Sequence, residues 1–151
     1  MCGRSLPPGI LGFASLSLDD RFVTGTVTVS SEMVDRFADL SGDHFALHFN
    51  DKAAQELGFP RRVAHGLLVL FLIDGLKNQA PTQLRAVASL GWDIAFQAPV
   101  LVGDTLRASL TLQSARPTRD GLCGIAVFQV EAQNQKDETV QAGRLTLLLL
   151  P

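Results

Sequence analysis

An α+β fold, in which a curved antiparallel sheet wraps one long buried helix, is what this sequence predicts, and two observations predict it. The first is the segment HGLLVLFLIDGLKN, residues 65–78, whose apolar residues run all the way round a helical wheel instead of forming one stripe. Such a helix has to be wrapped by protein, and no second helical stretch of comparable hydrophobicity is there to do it. The second is that the chain beyond this helix holds four long segments rich in Val, Leu, Ile and Phe, separated by short polar turns. One alternating strand, a helical region and four antiparallel strands describe a sheet curved around a helix.

In chain order, residues 1–20 are rich in Pro, Gly and Ser and read as an irregular lead-in, from which Ile10, Leu11 and Phe13 pack onto the surface. Over residues 22–29 the side chains alternate, with Val23, Gly25, Val27 and Val29 on one side and Thr24, Thr26 and Thr28 on the other. That is the period of a strand with one buried face. Ser30 or Ser31 then caps a helix in which Met33, Val34, Phe37 and Leu40 share a face, and Gly42 stops it. SGDHFALH, residues 41–48, comes next as a loop. Asp51 is placed as the N-cap of a short helix, DKAAQEL, closed by Gly58 with Pro60 just beyond. The strands after the buried helix span residues 84–98, 105–114, 121–133 and 139–150. Gly103-Asp104, Arg119-Asp120-Gly121 and Gln135-Lys136-Asp137 serve as hairpin connections. No repeat or linker divides residues 1–151, which read as a single domain.

A chain of 151 residues buries roughly 70% of the surface its unfolded form exposes, enough for one core. With 46% apolar and 19% charged residues it is not disordered. The net charge of -2, with no long basic stripe, argues against a nucleic-acid partner. Cys2 and Cys123 are too few and too far apart for a disulfide framework, and neither has a CxxC companion, which favours a reducing compartment. MCGRSLPPGILGF lacks the apolar core and cleavage site of a secretory signal. The densest apolar run before the C-terminus, residues 66–73, is well short of the roughly 20 residues that cross a bilayer. The expectation is a soluble cytoplasmic protein with no membrane span.

Charge is placed against an apolar wall in SGDHFALH, where Phe45, Ala46 and Leu47 separate two of the chain's three histidines. In a turn, Asp43 and His48 can aim a carboxylate and an imidazole at one water molecule, the imidazole exchanging a proton near neutral pH. The plainer alternative is that Asp43 caps the turn after Gly42 and His48 is a satisfied core histidine. His44 and His48 also have HxxxH spacing, which His65 or Asp51 would complete as a zinc shell. Against that, no HExxH signature is present and the segment reads as a loop, so no metal is expected and His44 faces solvent or a substrate entrance. His65-Gly66 opens the buried helix. Its first turn carries N–H groups without intrahelical partners, and Gly66 lets a carbonyl oxygen approach closely, unless it is only a packing glycine with His65 as the cap. Asp74, inside the apolar helix, either faces a cavity or needs a partner.

SGDHFALHFND followed by GFPRRVAHGLL resembles the signature of the MaoC-like (R)-specific enoyl-CoA hydratases, written around SGDxNPxHxD and a later AHG between apolar residues. FQAPVLVGDTL, residues 96–106, is similar to that family's F-x-x-PV-x-x-GDTL segment. The resemblance implies a hot-dog fold, homodimers or higher homo-oligomers, and an acyl-CoA thioester substrate. It also implies catalytic roles for Asp43 and His48, and a thioester-carbonyl contact at the N–H of Gly66. Water would add reversibly across a trans-2-enoyl thioester, with no metal or cofactor, coenzyme A being part of the substrate. Phe45, Leu47, His65 and Asp74 would line the pocket, and Arg61 and Arg62 would meet the phosphates of the coenzyme.

Three departures from the family pattern stand out. Its Asn-Pro is Phe45-Ala46 here, the aspartate two residues after the histidine is Asn50, and a supporting serine on the central helix is replaced by Asp74. The last predicts a second acid in the pocket beside Asp43. Two other functions are open to the same residues: a hot-dog thioesterase, in which the water attacks the carbonyl carbon, and a thioester-binding subunit that has lost the chemistry.

Overall fold

The computed structural model describes residues 3–151. Its strands are β1 (Gly9–Leu11), β2 (Arg21–Val23), β3 (Val27–Thr28), β4 (Thr82–Leu84), β5 (Ala86–Phe96), β6 (Thr105–Pro117), β7 (Gly124–Gln133) and β8 (Thr139–Leu149). Its helices are α1 (Ser31–Ser41), α2 (Ala46–Phe49), α3 (Asp51–Glu56) and α4 (Gly66–Gln79). The main sheet is antiparallel with strand order β2-β6-β7-β8-β5, and β3 pairs with the start of β6.

Period-two patterning drives the long strands together. Leu106, Ala108, Leu110 and Leu112 of β6 are buried, as are Ala126, Phe128, Val130 and Ala132 of β7 and Leu145, Leu147 and Leu149 of β8. They meet Leu68, Val69, Ile73 and Leu76 of α4 in one core, each large side chain contributing roughly 1.5–3 kcal/mol by burial. Register shifts between Leu112 and Ser114 and between Ser89 and Gly91 are bulges that curve the sheet around the helix. The α+β prediction is met.

Local details differ from the patterning. The strand predicted over residues 22–29 is two pieces, β2 and β3. Phe22 and Thr24 point inward before the break and Val29 after it, so the buried face switches from even to odd positions. The switch is possible because the buried Thr24 hydroxyl replaces a ladder partner, accepting the Ala108 amide at 2.9 Å and donating to the Gly25 carbonyl at 2.7 Å. On α1, Ser30 is the cap, its hydroxyl accepting the Met33 amide at 3.2 Å. The inward positions are Val34 and Ala38, and Leu40, expected on that face, is 80% exposed.

The Gly103-Asp104 turn does not close a hairpin: β5 pairs with β8 at the edge of the sheet, so residues 97–104 cross over to reach β6. The other two predicted turns do join β6 to β7 and β7 to β8. The lead-in is not irregular either. β1 runs parallel to β4, Leu6 is buried, and Leu11 and Phe13 pack on the core while Ile10 stays exposed. Arg4 holds both carboxylate oxygens of Asp20, at 3.1 and 2.8 Å, which anchors this segment beside β2. Cys2 lies outside the described residues, and Cys123 is a free thiol. Among the described residues no helix is long and apolar enough to cross a membrane.

Candidate active site

Gly42 ends α1 at φ 79°, a left-handed conformation that glycine takes without a Cβ penalty, and its amide reaches the Ala38 carbonyl at 2.8 Å. This turn launches Asp43. The Asp43 carboxylate accepts the Phe45 amide at 3.2 Å, and residues 46–49, expected as loop, form the single helical turn α2. Asn50 caps α3, its Oδ1 accepting the Lys52 and Ala53 amides at 2.8 and 3.3 Å. Asp51, expected in that role, instead accepts the Arg62 amide at 2.8 Å.

The α2 turn presents His48. Its Nδ1 lies 2.6 Å from the Val63 carbonyl, and a carbonyl only accepts, so Nδ1 carries the proton and Nε2 keeps a lone pair. Burial is the main cause holding His48 below the ordinary imidazole value. The Val63 carbonyl and Asp43 oppose it, and His65 and Arg62 reinforce it. His65, buried at the head of α4, donates from Nε2 to the main-chain carbonyl of Asp43 at 3.0 Å and makes no cap hydrogen bond to its own helix. Its ring stacks on His48 with centroids 3.8 Å apart.

One donor atom each from Asp43, His48 and His65 lies within 4.8 Å of the others, a spacing that a single water molecule can bridge. The His44–His48 pairing does not form. His44 faces Asp39 at 3.2 Å and stacks on Phe49, away from this cluster.

Gly66 is the first residue of α4, and its N–H has no acceptor among the described residues. Its carbonyl accepts Nε2 of Gln141 at 2.7 Å, which ties the helix head to β8. A cleft of about 380 Å³ is lined by both His48 and Gly66, with Phe59, Val63, Phe96 and Gln141 among its walls. A Cβ at Gly66 would stand 2.3 Å from the Phe96 ring, so glycine is required for the ring to lie there.

Other expected site residues are distributed differently. Phe45 is exposed, its ring edge-on to His48 at 6.3 Å, and Leu47 is half-buried, its carbonyl accepting the Val63 amide at 3.3 Å. Asp43 itself is exposed. Asp74 does not join the cleft: it pairs with Lys77 at 2.9 Å on a half-exposed side of α4, so the second acid expected in the pocket is not supplied by Asp74. Arg62 is committed to the protein, donating to the His48 carbonyl at 2.6 Å and to Asp35 of α1, and so is not free for phosphate. Arg61, the more exposed of the two, lies at an adjoining cleft of about 410 Å³ that shares Phe59 and Pro99 with the first, and it too has protein partners, donating to the Val102 carbonyl at 2.6 Å and to the buried Asp104 carboxylate at 3.4 Å. Gln141 and Phe59 were not foreseen. A glutamine at an inward position of a strand otherwise filled by Val, Leu and Ala was the available signal for Gln141; Phe59 offered none.

An antiparallel sheet curved around a central helix is the hot-dog fold, and here an acid and an imidazole are grouped at that helix's N-terminus. Within that fold class the chain belongs to the MaoC-like domain family, whose profile matches residues 15–134. The chain is 32% identical over 98 residues to 3-hydroxyacyl-thioester dehydratase Z of Mycobacterium tuberculosis, a match spanning 63% of this chain and 65% of that protein's length. It is 37% identical over 82 residues to (R)-specific enoyl-CoA hydratase of Aeromonas caviae, spanning 53% of this chain and 59% of that one. A solved Mycobacterium tuberculosis protein described as a double hotdog fold superposes with a TM-score of 0.79 at 22% identity, covering 93% of this chain and 44% of that one.

Proposed function

We propose that this protein catalyses the reversible addition of water to trans-2-enoyl thioesters, giving (R)-3-hydroxyacyl thioesters, with coenzyme A as the carrier. The observation that carries the reading is that His48, its Nδ1–H fixed on Val63 and its Nε2 left without a protein partner among the described residues, has a ring nitrogen within 4.8 Å of the Asp43 carboxylate and shares a cleft with the unpartnered N–H of Gly66. His48, held below its ordinary pKa, is neutral at pH 7 and takes a proton from a water that Asp43 orients. The water oxygen bonds to C3 as the C2–C3 double bond opens. Charge moves to the thioester oxygen, and the proton taken up by His48 is passed on to C2, so that the pair ends in the protonation state in which it began. The Gly66 amide and the helix dipole stabilise that oxygen, an effect worth about 3 kcal/mol per donor.

The names of the dehydratase and hydratase relatives support this chemistry. Arg61, at the adjoining cleft, is the cation offered to the coenzyme's phosphates. The same reading makes the working form a homodimer: Leu67 and Phe71 of α4 are 63% and 62% exposed, and β5 is an edge strand that also exposes Val87 and Leu90.

The test is incubation with enoyl-CoA esters of graded length, following enoyl absorbance and thiol release separately. Loss of absorbance without thiol is expected. Asp43→Asn and His48→Gln should each lower kcat on the order of 10²-fold or more with the fold intact. Thiol release from saturated acyl-CoA would indicate a thioesterase, and tight binding without turnover a non-catalytic subunit; both outcomes overturn the proposal.

A further inference from the structure

The proposed hydration makes no direct use of His65, yet His65 is the most enclosed of the three histidines, with 3% of its surface exposed. Its ring sits between Phe37, centroids 5.0 Å away, and His48, 3.8 Å away. Nε2 donates to the Asp43 carbonyl at 3.0 Å, which leaves the Nδ1 lone pair buried with no donor facing it among the described residues. Buried polar atoms are ordinarily partnered, and an aromatic hydrocarbon would fill the same space without the orphan. The imidazole therefore serves something other than packing.

We propose that His65 is a positioning residue that holds Asp43, His48 and the Gly66 amide in one register; the proposal rests on reading Asp43 and His48 as the reacting pair. The hydrogen bond from Nε2 fixes the main chain that carries Asp43. The Val63 carbonyl holds one point of the His48 ring, and the stacked face of His65 sets the ring's plane, so together they aim Nε2 of His48. His65 directly precedes Gly66, so the donor for the thioester oxygen moves with the same residue. A reacting geometry tolerates little displacement, and a shift of about 1 Å costs on the order of 10²-fold in rate.

The groups facing His48 are Asp43 from the turn before α2, His65 from the head of α4 and Arg62 from the segment after α3, with the Val63 carbonyl and the Phe45 ring completing its surroundings. His65 covers the ring face. Taking it away admits water and relieves the burial that lowers the proton affinity of His48.

Two variants separate the contributions. His65→Gln keeps an amide donor for the Asp43 carbonyl and loses the ring, whereas His65→Phe keeps a ring and loses the donor. Each is expected to lower kcat on the order of 10²-fold with KM little changed. Nitrogen-15 NMR of labelled histidines should show His65 as the Nε2–H tautomer in the wild-type protein, and the titration of His48 displaced to higher pH in His65→Gln. An Nδ1–H tautomer for His65 overturns the proposal. So does wild-type kcat in either variant, or a loss of kcat in His65→Gln with the His48 titration unmoved, which would make His65 structural only. Should a variant fail to fold by circular dichroism, the wild-type tautomer and the other variant decide. The spectra need no turnover, so a wild-type protein inactive on every enoyl thioester would refute the functional reading while leaving this one to be judged on the His48 titration.

Discussion

At the scale of single residues, His48 couples site and stability. Its folded pKa lies below the ordinary value of 6.5 chiefly through burial. Between the two values the unfolded chain binds more protons, so this contribution is complete above pH 6.5 and is lost as pH falls toward the folded value. Melting temperature should therefore be level above that pH and decline below it, and His48→Gln should flatten the decline; identical profiles would show that His48 is not buried in solution. The same titration predicts an acid limb in kcat/KM below pH 6.5. Gly66 gives a second check. A methyl there collides with the Phe96 ring at 2.3 Å, and because Phe96 is exposed the ring can swing aside at little cost to the fold. Gly66→Ala should keep its melting temperature and lose kcat on the order of 10²-fold, since the shifted ring and the methyl crowd the amide. Full activity would remove the amide from the mechanism.

Among the elements, the segment between α3 and α4 builds the site. Val63 supplies the carbonyl for His48, Ala64 bonds to Val100, and Arg62 clamps α1 and α2 from one guanidinium. Arg62→Met would leave the His48 carbonyl and the half-exposed Asp35 without their donor. It should cost about 1–3 kcal/mol in denaturant unfolding and lower kcat as well. Arg61→Gln should raise KM for coenzyme A esters and also cost stability, because it removes the donor to the Val102 carbonyl and the cation beside the buried Asp104; an unchanged KM would detach Arg61 from substrate.

These neighbouring arginines show where sequence reading reaches its limit. Both look like phosphate ligands as letters, and both are held by partners distant in sequence: Arg62 by Asp35 and the His48 carbonyl, Arg61 by the Val102 carbonyl and Asp104. Patterning found α4, the four long strands β5–β8 and two of the three turns, because period and turn chemistry are local. It missed the broken strand over residues 22–29, where a single threonine hydroxyl switches the buried face. It also read Gly103-Asp104 as a hairpin connection, because strand order depends on pairings distant in sequence. Asp43, His48 and Gly66 were legible because each sits at a local punctuation point: a turn after Gly42, a polar interruption of apolar residues, a helix start. Asp74 was misplaced because its partner Lys77 lies one turn further along α4, and helix spacing alone does not say which side of the pair faces the cleft.

For the molecule as a whole, the unbroken hydrophobicity of α4 exceeds what one sheet can cover. Leu68, Val69, Ile73 and Leu76 meet the sheet, while Leu67 and Phe71 remain in water. The proposed second copy would cover them. Sedimentation should then give twice the chain mass, and Leu67→Glu with Phe71→Glu should produce a monomer of reduced activity; a monomeric wild-type protein would require some other cover for that face. In the proposed reaction the water held by Asp43 and His48 attacks C3 and nothing else. Hydration of an enoyl-CoA in oxygen-18 water tests it most directly. One labelled oxygen in the 3-hydroxyl of an intact thioester is the predicted result, and label appearing in a released carboxylate, or no label in any product, would contradict it.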